Sequence, residues 1–139
     1  LHRFPRISAV TIVRNEGGKE SRVAGAALLI DHKNEDGDGV VIIRGLNPLQ
    51  SYITRLDAGD FVEQFVEWLA PIARNLGARF IAIPGAEQQS AQSNRPDINA
   101  YIDKIYARAK TLQLAPAPEN TFNSYDISST CIVLRDLVT

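Results

Sequence analysis

One stretch limits what this chain can become, residues 39–85, GVVIIRGLNPLQSYITRLDAGDFVEQFVEWLAPIARNLGARFIAIPG. Residues 40–44 (VVIIR) are continuously apolar and largely β-branched up to the final arginine, as in a strand covered on both faces. Residues 80–83 (FIAI) repeat that character and stop at Pro84 and Gly85. Between the two runs lies a helix over residues 57–76. Its apolar stripe is Phe61, Val62, Phe65, Val66, Leu69, Ile72, Ala73 and Leu76, spaced for one buried face. Asp57 is placed to cap it, Asp60 puts acid at its positive end, and Gly77 supplies the left-handed residue that ends it. Strand, helix, strand with this connection predicts a βαβ unit with parallel strands and a right-handed crossover. A site on such a unit belongs at the carboxyl end of the first strand, beside the helix start. Pro71 falls within the helix, where it removes one hydrogen bond and predicts a packing bend.

The flanks complete the plan. Residues 7–14 (ISAVTIVR) and 23–32 (VAGAALLIDH) are strands by composition, with Gly25 and its alanines marking a close neighbour. Residues 34–39 form an acidic hairpin loop. It lacks the spacing and closing glutamate of a calcium loop, so a solvated tip explains it better. The Asn-Pro pair at 47–48 is expected to break the third strand. Residues 86–96 read as a long polar loop leaving a parallel strand, and residues 97–112 as a second amphipathic helix with Ile98, Ile102, Ile105 and Ala109 inward. Alanine and proline at 115–118 make a stiff linker. Residues 124–137 form the last strand, with Cys131, Val133 and Leu137 on one face and Ile132 and Leu134 on the other. The expected order is β-β-β-α-β-α-β. The fold class is α/β with a mixed sheet: an antiparallel meander, then a βαβ unit, with helices on its faces in three layers.

With 139 residues the chain suits one domain. A net charge of −1 gives no field drawing it to nucleic acid or lipid. No apolar run approaches the roughly 20 residues of a membrane span. The single cysteine excludes an internal disulfide, and a reducing, cytoplasmic setting is the expectation. The chain has no methionine and is read as a fragment of a longer protein, whose further domains are candidate partners. His2 and His32 have no metal-site spacing, and Ser128 and Ser129 have no nucleophile-elbow context, so no metal site and no hydrolase triad is expected.

This order, with a few of its residues, resembles the core of the GCN5-related N-acetyltransferase (GNAT) family without its first strand and the two helices that follow it. Asn99, Ile102 and Tyr106 stand at the spacing of a family pattern on the second helix, with Ile for the usual Ala. The resemblance implies an acyltransferase that moves an acyl group from acetyl-CoA or another acyl-CoA to an amine of a small molecule or a protein. It implies Tyr106 as the general acid protonating the departing thiolate. It implies that Ile43, Arg44 and Gly45 bracket the gap where a main-chain N–H polarises the thioester carbonyl. Gly59 and its amides would face the pyrophosphate, Arg55 would offset nearby acid, and Asn99 would belong to the cofactor site. The family's glycine-rich phosphate turn is replaced here by NPLQSYITRLDAGDF, in which Asp57 and Asp60 flank Gly59. Two carboxylates at that helix start repel a pyrophosphate. The competing expectation is therefore a catalytically inactive GNAT-like interaction or regulatory domain. A different α/β domain binding a nucleotide or small effector has the same strand count.

Overall fold

The computed structural model describes residues 6–16, 19–48, 57–85, 92–107, 109–114 and 130–138, and for residues 6–7, 13–16 and 19–24 the backbone alone. Among the described residues eight elements follow in order. They are β1 (Arg6–Glu16), β2 (Lys19–Lys33), β3 (Gly39–Pro48), helix α1 (Ala58–Asn75), β4 (Ala78–Pro84), helix α2 (Pro96–Tyr106), β5 (Thr111–Gln113) and β6 (Thr130–Asp136). The class is mixed α and β, with one six-stranded sheet ordered β1-β2-β3-β4-β6-β5. The first three strands pair antiparallel as a meander. β3 and β4 pair parallel across α1, so the expected βαβ unit is present. β6 lies antiparallel between β4 and β5.

The unit forms for the reasons its sequence gives. Asp57 caps α1, its carboxylate accepting the Asp60 N–H at 3.2 Å. Gly77, at φ 83°, turns the chain out of the helix while its N–H reaches the Arg74 carbonyl at 3.0 Å. Pro71 lies inside a helix assigned without a break from Ala58 to Asn75, on its exposed side. Phe61, Val62, Phe65, Val66, Leu69 and Ala73 are buried against Val41, Ile43, Ile81 and Ile83. The alternate residues Val40, Ile42, Phe80 and Ala82 belong to a second buried cluster with Leu112, Cys131 and Val133. The β3–β4 centre is thus buried on both sides, which is why its strands read as unbroken apolar runs. Cys131 is buried in that second cluster.

Four expectations are corrected. Both helices contribute to the first cluster, α2 through Ile98 and Ile102, so among the described residues they lie on one face rather than two. Two crossovers that step the same way along a sheet with the same hand carry their helices to the same side. The second helix ends at Tyr106, not at residue 112, and Ile105 is 52% exposed. Leu112 instead sits in β5, an additional strand whose exposed-buried-exposed pattern is that of a strand. The third strand passes through Asn47 and ends at Pro48 rather than breaking before it. Finally, Leu137 shares a cluster with Ile132 and Leu134, not with Cys131 and Val133. An extra residue in β6 at the shift opposite Ile81 and Ala82 resets the alternation.

Candidate functional site

The parallel pair β3–β4 does not run the length of its strands. Its register covers Gly39 with Ala78 through Ile42 with Ala82, while β3 continues to Pro48 and β4 to Pro84. The cause lies in β3. Between Arg44 and Asn47 this strand carries one more residue than β2 does between Ala26 and Leu28. Gly45 takes φ 66° there, the left-handed geometry of a glycine bulge. The far end of β3 then leans onto β2 at Gly25, where a Cβ would lie 2.6 Å from the Asn47 carbonyl oxygen. Gly25 is therefore the close-approach glycine its sequence context predicts, and it draws the end of β3 toward β2.

The resulting splay is spanned by polar groups. Gln92 is fully buried and donates its Nε2–H to the Pro84 carbonyl at 2.8 Å. Asn47 Oδ1 accepts the Asn94 N–H at 2.7 Å, and Arg95 Nε donates to the Pro48 carbonyl at 2.8 Å. Asn99 donates from Nδ2 to the Ser93 carbonyl at 3.0 Å, tying the first turn of α2 to this bridge. Residues 92–95, the described end of the expected long loop, are thus docked between the strand ends. Two acceptors are left over: Gln92 Oε1 and Asn99 Oδ1 are buried without a hydrogen-bond partner among the described residues. A buried carbonyl without a donor costs about 1–3 kcal/mol.

A second polar cluster lies between the helices. Tyr101 and Tyr106 on α2 both donate their hydroxyls to Glu63 Oε1 on α1, each at 3.0 Å. Arg135 of β6 approaches the other Glu63 oxygen at 3.9 Å and Glu67 at 3.0 Å. Burial, followed by the hydrogen bond to Glu63, pushes the Tyr101 phenol up to about 12. The same two causes, in the same order, push Tyr106 higher still. Beside this cluster the Tyr101 ring fills the space over Gly59. A Cβ on Gly59 would stand 2.6 Å from Tyr101 Cε1 and 2.9 Å from Asp57 Oδ2.

The residues singled out from sequence therefore fall in two places. Ile43, Arg44 and Gly45 sit on β3 at and just before the bulge, and Asn99 is tied to the bridge across the splay. Gly59 and Tyr106 belong to the interhelical cluster, where Gly59 admits a tyrosine ring and the Tyr106 proton is directed to Glu63. Arg55 lies outside the described residues. Gln92, Ser93 and Asn47 were not foreseen. Gln92 and Ser93 lie in a tract that reads as a long polar loop, and Asn47 reads only as part of a strand break. Glu63 is an ordinary exposed helix glutamate with no local signal of its two partners on another helix. Among the described residues no group of three or more His, Cys, Asp or Glu gathers as a metal site, and no helix is long and apolar enough to cross a membrane. No family model matches the chain, no curated protein matches it significantly, and no solved structure does.

Proposed function

We propose that this chain is a GNAT-like acyltransferase domain that takes acyl-CoA in the splay between β3 and β4. The observation that carries the reading is that splay, opened by the bulge at Gly45 directly after a parallel strand pair. A pantetheine arm is strand-like, with two amides, and suits a place where two neighbouring strands have lost each other's hydrogen bonds. The unpartnered acceptors Gln92 Oε1 and Asn99 Oδ1 match its N–H donors. A bulge also frees a main-chain N–H from the ladder, the kind of donor that stabilises a tetrahedral oxyanion. In the reaction an acceptor amine attacks the thioester carbonyl. A C–N bond forms, the C–S bond breaks, the amine loses a proton to solvent, and the CoA thiolate takes one. Tyr106 serves as that acid only if its hydroxyl turns from Glu63, and its raised pKa keeps it protonated at neutral pH. A soluble cytoplasmic setting accompanies this reading.

A second reading, a domain of the same architecture without catalysis, is favoured by the start of α1. Asp57 already occupies the Asp60 N–H, and Tyr101 covers Gly59, so amides that would cradle a pyrophosphate are engaged. Calorimetric titration with acetyl-CoA and with free CoA separates the two, repeated on Asp57→Gly. Micromolar binding, about −8 kcal/mol, with acetyl transfer to a polyamine supports the enzyme. Binding by Asp57→Gly alone supports a lost cofactor site, and binding by neither contradicts acyl-CoA recognition.

A further inference from the structure

Strand β1 is an eleven-residue edge: it pairs with β2, and among the described residues no strand pairs with its other side. Long open edges are ordinarily blunted by charge, proline or a bulge in the edge strand itself. β1 has none of these at its centre. Positions 8–13 read SAVTIV, without charge or proline, and both register irregularities with β2 place the extra residue in β2. The edge also has an apolar flank. Val10 and Ile12 face α1, and with Thr11, Phe61, Gln64, Phe65 and Trp68 they line a groove of about 350 Å³. Trp68 packs on Phe65 at 5.5 Å between ring centres yet remains 50% exposed, as an aromatic anchor awaiting a cover does.

The sequence of the edge is complementary to itself. In a two-fold antiparallel pairing opposite residues share a face, so only registers with an even sum of residue numbers are allowed. The register centred on Thr11 sets position 6, an arginine, opposite position 16 of the second copy, a glutamate. It sets Ser8 opposite position 14, an arginine, and Val10 opposite Ile12 on the groove side. Slipping two residues one way, to a centre at Val10, sets the arginines at 6 and 14 against each other. Slipping the other way, to a centre at Ile12, leaves all three charged positions, 6, 14 and 16, facing uncharged ones. We infer that the partner of this edge is a second copy of the chain, joined β1 to β1 in the register centred on Thr11, with Trp68 of each copy covering the groove beside the new strand pair. The joined sheet is continuous across the two-fold axis, and the inference is independent of acyl transfer.

Sedimentation of the whole chain over a range of concentrations tests it, with Trp68 fluorescence as a second readout because Trp68 is the only tryptophan. The expected result is a concentration-dependent dimer whose formation shifts the emission to the blue. Glu16→Arg puts like charges at both ends of the pairing and is expected to raise the dimer dissociation constant about tenfold or more. Adding Arg6→Glu restores opposite charges in exchanged positions and is expected to recover most of that loss. Trp68→Ser, at a half-exposed position that leaves the core intact, is expected to weaken the dimer while the circular dichroism spectrum stays unchanged. A chain that stays monomeric at every concentration overturns the inference. A dimer that ignores the charge exchange also overturns it, since its contact is then not this register.

Discussion

The two ends of the β3–β4 pair are held together by different physics. At the closed end, Gly39 to Ile42 and Ala78 to Ala82 share a backbone ladder under apolar cover on both faces. At the open end the same strands are spanned by Gln92, Asn47 and Arg95, side chains reaching carbonyls and amides one at a time. A ladder under apolar cover is cooperative and leaves no vacancy for a competitor. Single polar bridges of about 1 kcal/mol each can be complemented or displaced by a ligand with amides of its own. The transition between the two regimes is one inserted residue beside Gly45.

Mutations at the two ends separate the two regimes. Phe80→Ala removes a fully buried ring at the closed end and is expected to cost about 3–5 kcal/mol, read from urea unfolding. Gln92→Leu at the open end leaves the Pro84 carbonyl without its donor and is expected to cost less, about 1–3 kcal/mol by the same assay. If the two losses were equal, the open end would be as integral to the core as the closed one, and the contrast would fail.

The interhelical cluster sharpens the picture of α1. Gly59→Ala gains about 1 kcal/mol of helix propensity but drives a methyl into the Tyr101 ring, and a net loss of about 1 kcal/mol is expected. In a Tyr101→Ala background the loss is expected to shrink, the remaining close contact being the Asp57 carboxylate at 2.9 Å. A loss of the same size in both backgrounds would show that Gly59 is not there to admit the ring. The smallest effect is in pH. Tyr101 is held protonated in the folded chain up to about 12, against roughly 10 for a free phenol. The folded state keeps its proton where the unfolded state has lost it. This contribution is therefore complete below pH ~10 and is lost as pH rises from there through the folded value. Phenolate absorbance is expected to show this late titration, and Glu63→Gln is expected to lower its midpoint without reaching the free value, because burial is the larger cause.

The parts of this fold legible in the sequence were those set by neighbours along the chain. Asp57, the stripe from Phe61 to Ala73 and Gly77 define α1 within one element. The parallel strands were legible because burial on both faces leaves an unbroken apolar run. Strand β5 was not, because three residues make a strand only through their partners in β6, far along the chain. Ile105 fits the apolar spacing of α2 but is half exposed, so periodicity overran the true end at Tyr106. The site divides in the same way. Gly45 stood out as a glycine ending an apolar run, but the inserted residue is visible only against β2. The burial of Gln92 and the convergence of Tyr101 and Tyr106 on Glu63 depend on contacts across 8 to 43 positions of sequence, which no local pattern encodes.

The most direct test of the open end as a ligand seat is an amide NMR titration with acetyl-CoA. Saturable shifts are expected at Gly45, Leu46, Asn47 and Asn94, with Val41 and Ile81 of the closed end unmoved. Gln92→Leu is also expected to weaken binding about tenfold, roughly 1.4 kcal/mol. No shifts at millimolar ligand, or shifts that leave the splay untouched, would contradict a ligand seat there.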